Sequence, residues 1–430
     1  MNVRKPKSIE MEKGERLSDF IRRQRAARQG KGLPLKEIRV IDLATVVAAP
    51  FAATLLGDFG AEVIKIENPA LPDATRAWGI IKDDIQPWWS VVSRNKLPIT
   101  LNLRAPEGVK IFADLVPKSD VLIENMRPGT LDRLGFTAER LFKLNKGLII
   151  GRITGYGQTG PYASRPGFGT LAEGFSGYTY LNSERGGVPI NPPMTLADMI
   201  AGQHLAFGIM IALRGAKRGE YGGQEIDVSL YEPLLGLLGG NFLEYWLTGK
   251  IPQPWGSELS FTAPRNNYRT KDNRWITLSA SAQVPFERLM DAIGKPELKT
   301  DPRFKTNEVR IKEDNRAELN RLIAEWFSKM NLDEAIETCE KAGVAAGIIA
   351  DMRDIAEDPH VQERKTLVDV LDPAGKVLRI PDVPIRLLNT PGEISFPGLP
   401  FGAANEVIYQ DLLGYSSEQL EELKNAKVIC

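Results

Sequence analysis

The stretch from Ile38 to Glu67 constrains the fold of this chain more than any other. Ile38-Arg-Val-Ile-Asp-Leu43 and Glu62-Val-Ile-Lys-Ile-Glu67 both carry strand-type residues, and Pro50 to Phe59 between them reads as a helix with Leu55 and Leu56 turned inward and Gly60 closing it. A strand, a helix and a second strand in that order predict a parallel sheet with a right-handed crossover, and such sheets bind ligands beyond the carboxyl ends of their strands. The loop Thr45-Val-Val-Ala-Ala-Pro50 falls at that end. It lacks the G-x-G-x-x-G spacing of a dinucleotide cradle, yet small Ala48 and Ala49 would let a ligand approach the backbone closely.

Further strands are expected at 98–103, 121–124, 147–153 and 224–229, with helices near 106–116, 137–144 and 233–246. Residues 36–247 then form a large Rossmann-like α/β domain. Residues 248–265 shift to Pro, Gly, Ser and Thr and read as a linker. A strand at 274–280, helices at 285–293, 313–329 and 332–342 and a short strand at 345–349 give a smaller α+β domain over 266–352, and 353–430 lead back to the large domain. Residues 1–35 read as a mobile basic arm containing a short amphipathic helix around Leu17, Phe20 and Ile21, with the body or a partner subunit as the surface it could pack on; its Glu10, Glu12, Glu15 and Asp19 argue against an organellar targeting segment.

Bulk properties exclude several classes. Lys+Arg and Asp+Glu are both 55, so nothing favours a polyanionic partner such as nucleic acid. Two cysteines and two histidines, His204 and His360, are too few for a disulfide framework or for most metal sites, and a cytoplasmic protein without a metal is expected. The longest apolar stretches are interrupted by Gln203-His204, Glu232 or Glu244, so no membrane span is expected.

Within this frame Asp198 stands out. It opens the otherwise apolar run Asp198-Met-Ile-Ala-Gly-Gln-His-Leu-Ala-Phe-Gly-Ile-Met-Ile-Ala-Leu213. An aspartate there is commonly a helix cap, facing free backbone N–H groups and the positive end of the dipole. The alternative is a nucleophile at the mouth of a ligand cleft.

Five ordered motifs resemble the class III CoA-transferases, the formyl-CoA transferase or carnitine-CoA transferase-like family. They are Asp42-Leu-Ala-Thr-Val-Val-Ala-Ala-Pro50, Leu56-Gly-Asp-Phe-Gly-Ala-Glu-Val-Ile-Lys-Ile-Glu67, Asn95-Lys96, Glu124-Asn-Met-Arg-Pro-Gly-Thr-Leu-Asp-Arg-Leu-Gly135 and Leu196-Ala-Asp198; Asn267-Tyr-Arg-Thr-Lys-Asp272 also fits. The resemblance runs from about residue 36 to the C-terminus. It implies a Rossmann-like domain built from both chain ends, a smaller inserted domain, and two subunits interlocked like links. It implies that Asp198 is the catalytic aspartate. It also implies that Val46, Val47, Ala48, Arg104, Asn125, Met126 and Arg133 contact coenzyme A, with Leu101 near the adenine. Read without it, Arg133 is a surface helix charge, Asn125 a turn residue and Lys96 a strand-end residue on the solvent side.

The implied activity passes CoA from an acyl-CoA donor, succinyl-CoA being the expected one, to a free organic acid such as a dicarboxylate or substituted succinate. The partners would be those two small molecules and a second copy of the chain, or a related subunit in a heteromer. Val47 stands where the formyl-CoA branch has Gln and Asn68 where it has Arg, and Ser257-Glu-Leu-Ser-Phe-Thr-Ala-Pro264 has no glycine run, so an oxalate and formate pair is not expected. Two alternatives share the fold. An α-methylacyl-CoA racemase would need a histidine in the stretch Arg165-Pro-Gly-Phe-Gly169, where Phe168 cannot take a proton. A non-catalytic acyl-CoA-binding subunit would not need Asp198.

Overall fold

The computed structural model describes residues 11–217, 219 and 221–430. Six strands form one sheet: β1 Arg39–Asp42, β2 Glu62–Glu67, β3 Lys96–Thr100, β4 Val121–Glu124, β5 Ile149–Thr154 and β6 Gln224–Ser229. Their spatial order is β3-β2-β1-β4-β5-β6 and every neighbouring pair is parallel. This is the order of a doubly wound dinucleotide-type sheet, whose switch point lies between β1 and β4. Continuous apolar runs such as Val63-Ile64 and Leu122-Ile123 are fully buried, as helices covering both faces require.

Helix α2, Ala48–Asp58, follows β1 from that switch point. Its Ala48, Ala49, Ala52 and Ala53 are buried, and the 22-residue helix Leu196–Lys217 packs closely on it. Gly202 explains how closely: a Cβ there would lie 2.5 Å from the Ala48 carbonyl oxygen. Small residues in both helices therefore bring the start of the Asp198 helix beside the start of α2.

The chain divides into two compact units. One holds the residues up to Gly177, with Pro192–Gly239 and Pro359–Cys430; the other holds Tyr178–Asn191 and Gly240–Asp358. In the first unit the C-terminal residues Phe396, Val407, Tyr409 and Val428 share one core with Ile41, Ile64 and Ile99. Tyr409 donates its hydroxyl to the Thr100 carbonyl at 2.6 Å, and Asn405 accepts the Thr100 N–H at 2.8 Å. The second unit has an antiparallel sheet of Arg265–Arg269, Trp275–Ser279 and Ala346–Ile348, packed around Phe286, Leu289, Phe327 and Cys339.

The amino-terminal helix takes one of its two expected placements, on the body of the chain, and only its expected mobility is corrected. The first ten residues of the chain lie outside the described ones, but helix α1, Leu17–Gly30, is docked and not a mobile arm. Phe20 and Ile21 are buried in the main core, Arg22 pairs with Asp411 at 2.9 Å, and Lys31 pairs with Glu393 at 2.7 Å. Arg22, Arg23 and Arg25 pair with acids of the same unit, and Arg28 is buried against Asn95 and Ser395. The helix expected over 233–246 is two, Glu232–Leu237 and Gly239–Thr248, parted where Leu238 precedes the Gly239-Gly240 pair. The segment Leu196–Ala216 also differs: it is long and apolar enough to cross a membrane by length and composition, because its apolar residues outweigh Gln203 and His204. Its Ala197, Ala201, Leu205 and Ile209, spaced by one turn, are buried in the first unit.

Candidate active site

Beyond the carboxyl ends of β1, β4 and β5, within the first unit, lies a cavity of about 550 Å³. Its wall includes Val46, Val47, Ala48, Asn125, Met126 and Asp198, together with Arg127, Thr154, Arg165, Gly169, Glu173 and Thr195. Residues as far apart in sequence as Val46 and Asp198 thus meet because parallel strands deliver their following loops to one edge.

The Thr45-Val46-Val47 loop is held from several sides. Asn125 clamps Thr45 twice, its Oδ1 accepting the Thr45 N–H at 2.9 Å and its Nδ2 donating to the Thr45 carbonyl at 2.7 Å. Val46 has φ +68°, a left-handed conformation that a β-branched residue adopts only when its surroundings impose it. Its N–H donates to Asp73 Oδ2 at 3.1 Å. Beneath the loop Asp42, Lys65, Asp73 and Lys96 form a buried charge network: Lys96 meets Asp42 at 2.8 Å and Lys65 meets Asp73 at 3.1 Å. Lys96 is therefore not a solvent-side residue, being 0% exposed and paired from below the loop. Asn125, expected either as a turn residue or as a ligand contact, is placed at the cavity as the loop's clamp.

Asp198 sits in the first turn of its helix, half-buried in the cavity wall. Burial, and then the charge of Glu173, push its carboxyl up to about 6. Gly169 opens the short helix Gly169–Phe175, and a Cβ at that position would overlap the Asp198 carboxylate. Gly155 and Gly167 cross at the same place, a Cβ on Gly155 falling 2.6 Å from the Gly167 Cα. These glycines let two backbone segments and a carboxylate share one corner. Glu173, 2% exposed, accepts the Ala197 N–H at 3.3 Å and so caps the helix in whose first turn Asp198 lies.

Three expected contact residues do not line the cavity. Leu101 is 2% exposed because its side chain fills the core beside the end of β3. Arg104 and Arg133 are exposed, Arg133 donating to Thr130 Oγ1 at 2.9 Å. Glu173, Gly169, Thr154 and the cationic pair Arg127 and Arg165 were not singled out from sequence. The Thr195-x-x-Asp198 spacing of a capping box was legible, but only the fold shows that it is unused. Among the described residues no histidine lines the cavity; His204 is exposed, with its Nδ1 against the Ile200 carbonyl, and Phe168 occupies the racemase-type position. No group of metal-ligating side chains is found among those residues either.

A parallel sheet of Rossmann-like order with a ligand cavity at its strand ends defines the class of protein. Residues 35–405 match CoA-transferase family III, and the chain belongs to that family. It is a class III CoA-transferase. It is 39% identical over 401 residues to succinyl-CoA:D-citramalate CoA-transferase of Chloroflexus aurantiacus, covering 92% of this chain and 98% of that one. The beta subunit of succinyl-CoA:L-malate CoA-transferase from the same organism is 39% identical over 403 residues, again covering 92% and 98%. A crystal structure of a CAIB/BAIF family protein from Brucella suis superposes with a TM-score of 0.79 at 31% identity, over 89% of this chain and 100% of that one.

Proposed function

We propose that this enzyme moves CoA from succinyl-CoA to a free dicarboxylic or substituted succinic acid, with Asp198 as the nucleophile. The observation that carries this reading is a desolvated aspartate carboxylate pressed against Gly169 in the wall of a cavity large enough for an acyl thioester. An Asp198 oxygen attacks the thioester carbonyl, the C–S bond breaks, and CoA thiolate leaves a mixed anhydride. The thiolate attacks the aspartyl carbonyl, releasing the donor carboxylate and leaving an aspartyl-CoA thioester. The acceptor carboxylate attacks that thioester and frees the thiolate again. Attack of the thiolate on the acceptor's acyl carbonyl then gives the new acyl-CoA and restores Asp198. Each step exchanges one activated acyl bond for another, so the thioester's energy is conserved.

Raising the carboxyl of Asp198 to about 6 keeps it ionised near neutrality yet poorly solvated, as a reactive oxyanion should be. Val46, Val47, Ala48, Asn125 and Met126 would hold the thioester end of CoA, and exposed Arg104 and Arg133 would meet its phosphates; Leu101 can contribute only backbone. Arg127 and Arg165 supply positive charge for a dicarboxylate. Incubation with succinyl-CoA, trapping with hydroxylamine or borohydride and peptide mass spectrometry tests the reading: modification confined to the Asp198 peptide supports it, and an unmodified Asp198 refutes it.

A second copy of the chain is the partner we infer. No residue of the helix Gly239–Thr248 is buried, and its Phe242, Leu243, Trp246 and Leu247 are each more than half exposed. Phe207 and Ile211 on the Asp198 helix are similarly bare. Apolar faces of this extent call for a protein cover. Cys339 and Cys430 are both free thiols, as suits the reducing cytoplasm in which we place the reaction.

A further inference from the structure

The first turn of the Asp198 helix leaves one hydroxyl without employment. In a capping box Thr195 Oγ1 would accept the Asp198 N–H. Here the neighbouring donors are taken by other groups, Leu196 N–H by the Met194 carbonyl, Ala197 N–H by Glu173 and Met199 N–H by the Thr195 carbonyl, and Thr195 Oγ1 makes no bond to the Asp198 N–H. Thr195 Oγ1 is shielded from solvent and has no partner among the described residues. Thr154, the last residue of β5, is 7% exposed, and its Oγ1 is likewise without a partner. Both side chains line the cavity that holds Asp198. A buried hydroxyl that bonds nothing is costly, and two in the lining of one cavity mark groups that a ligand there can complete.

We propose that Thr154 and Thr195 form a two-hydroxyl subsite for the carboxylate oxygen of the organic acid that exchanges CoA with Asp198. The inference rests on the Asp198 reading above. A carboxylate only accepts hydrogen bonds, and a threonine hydroxyl can donate one. The same two donors serve twice. They orient the free acid for attack on the aspartyl thioester, and they stabilise the oxyanion when the thiolate attacks that acid's acyl carbon in the anhydride. Glu173 makes the arrangement possible by capping the helix in place of Thr195.

Thr154→Val and Thr195→Val keep shape and remove the hydroxyl, whereas Thr154→Ser and Thr195→Ser keep the donor. The measurements are steady-state kcat/KM with succinyl-CoA and each of malate, citramalate and glutarate, together with trapping of the Asp198 adduct in wild type and variants. Each valine variant is expected to lower kcat/KM for the acid by about tenfold or more, and each serine variant to stay within about threefold of wild type. Should a valine variant fail to fold, alanine at that position carries the same expectation. Valine variants within twofold of wild type, in an enzyme that still forms the Asp198 adduct, would overturn the subsite and leave the nucleophile standing. Absence of the adduct from the wild type would remove the Asp198 reading and the subsite with it.

Discussion

Glu173 Oε1 accepts the backbone N–H of Ala197 at 3.3 Å, so a carboxylate on one helix closes the first turn of another, one residue ahead of Asp198. The contact places two acidic side chains at one corner of the cavity. Glu173 is itself shifted upward, first by burial and against the Ala197 and Leu196 N–H groups.

Glu173→Gln retains an acceptor oxygen for the cap and removes the charge that disfavours ionised Asp198. In the proposed mechanism attack needs the carboxylate, so wild-type activity is expected to fall as pH drops through about 6, where Asp198 takes up its proton. In Glu173→Gln that acid limb of kcat/KM is expected to move down by up to about one pH unit. A pH–rate profile checks this. An unmoved limb would leave Glu173 with a capping role alone.

Asp198→Asn keeps the side-chain volume and removes the attacking charge. Transfer is expected to fall by at least about three orders of magnitude. The melting temperature at pH 8 should hold or rise, because the substitution relieves a carboxylate that its site disfavours. Activity assays and calorimetry on one preparation separate the two effects.

Gly169→Ala adds one methyl group where it would overlap the Asp198 carboxylate, and kcat is expected to drop at least about tenfold. Gly174→Ala, in the same short helix but with no atom within 4 Å of the added carbon, is the matched control. Its expected kcat is that of the wild type.

Glu124 ends β4 and accepts the Met126 N–H at 2.6 Å, yet burial pushes its carboxyl up to about 7 despite that bond and Arg152. The unfolded chain releases this proton near 4.5 and the folded chain near 7, so folding becomes progressively less favourable across that window, by about 3 kcal/mol at its top. Glu124→Gln is expected to melt above wild type at pH 8 and to lose the advantage by pH 5. Thermal melts at the two pH values decide it.

Trp246→Glu together with Leu243→Glu places charges on the bare helix of the second unit. Sedimentation velocity is expected to show a dimer for the wild type and a monomer for the variant. A wild type that sediments as a monomer would refute the self-association.

Much of this protein was legible before folding. The β-α-β period of residues 38–67 determined the parallel sheet, since buried apolar runs flanking a helix leave few other arrangements. Strands 121–124 and 224–229 and the helix 332–342 fall where periodicity put them. Asp198 drew attention because a charge in an apolar run is costly and needs a reason. Tertiary structure alone decided which donors and acceptors are spent. That Lys96 is buried under the Val46 loop, that α1 is anchored by Phe20, and that Glu173 caps the Asp198 helix all depend on partners far away in sequence. Periodicity records which face of an element is apolar, but not which distant side chain will satisfy a given N–H. For that reason the spare hydroxyls of Thr154 and Thr195 become visible only when the bonds around Asp198 are counted in three dimensions.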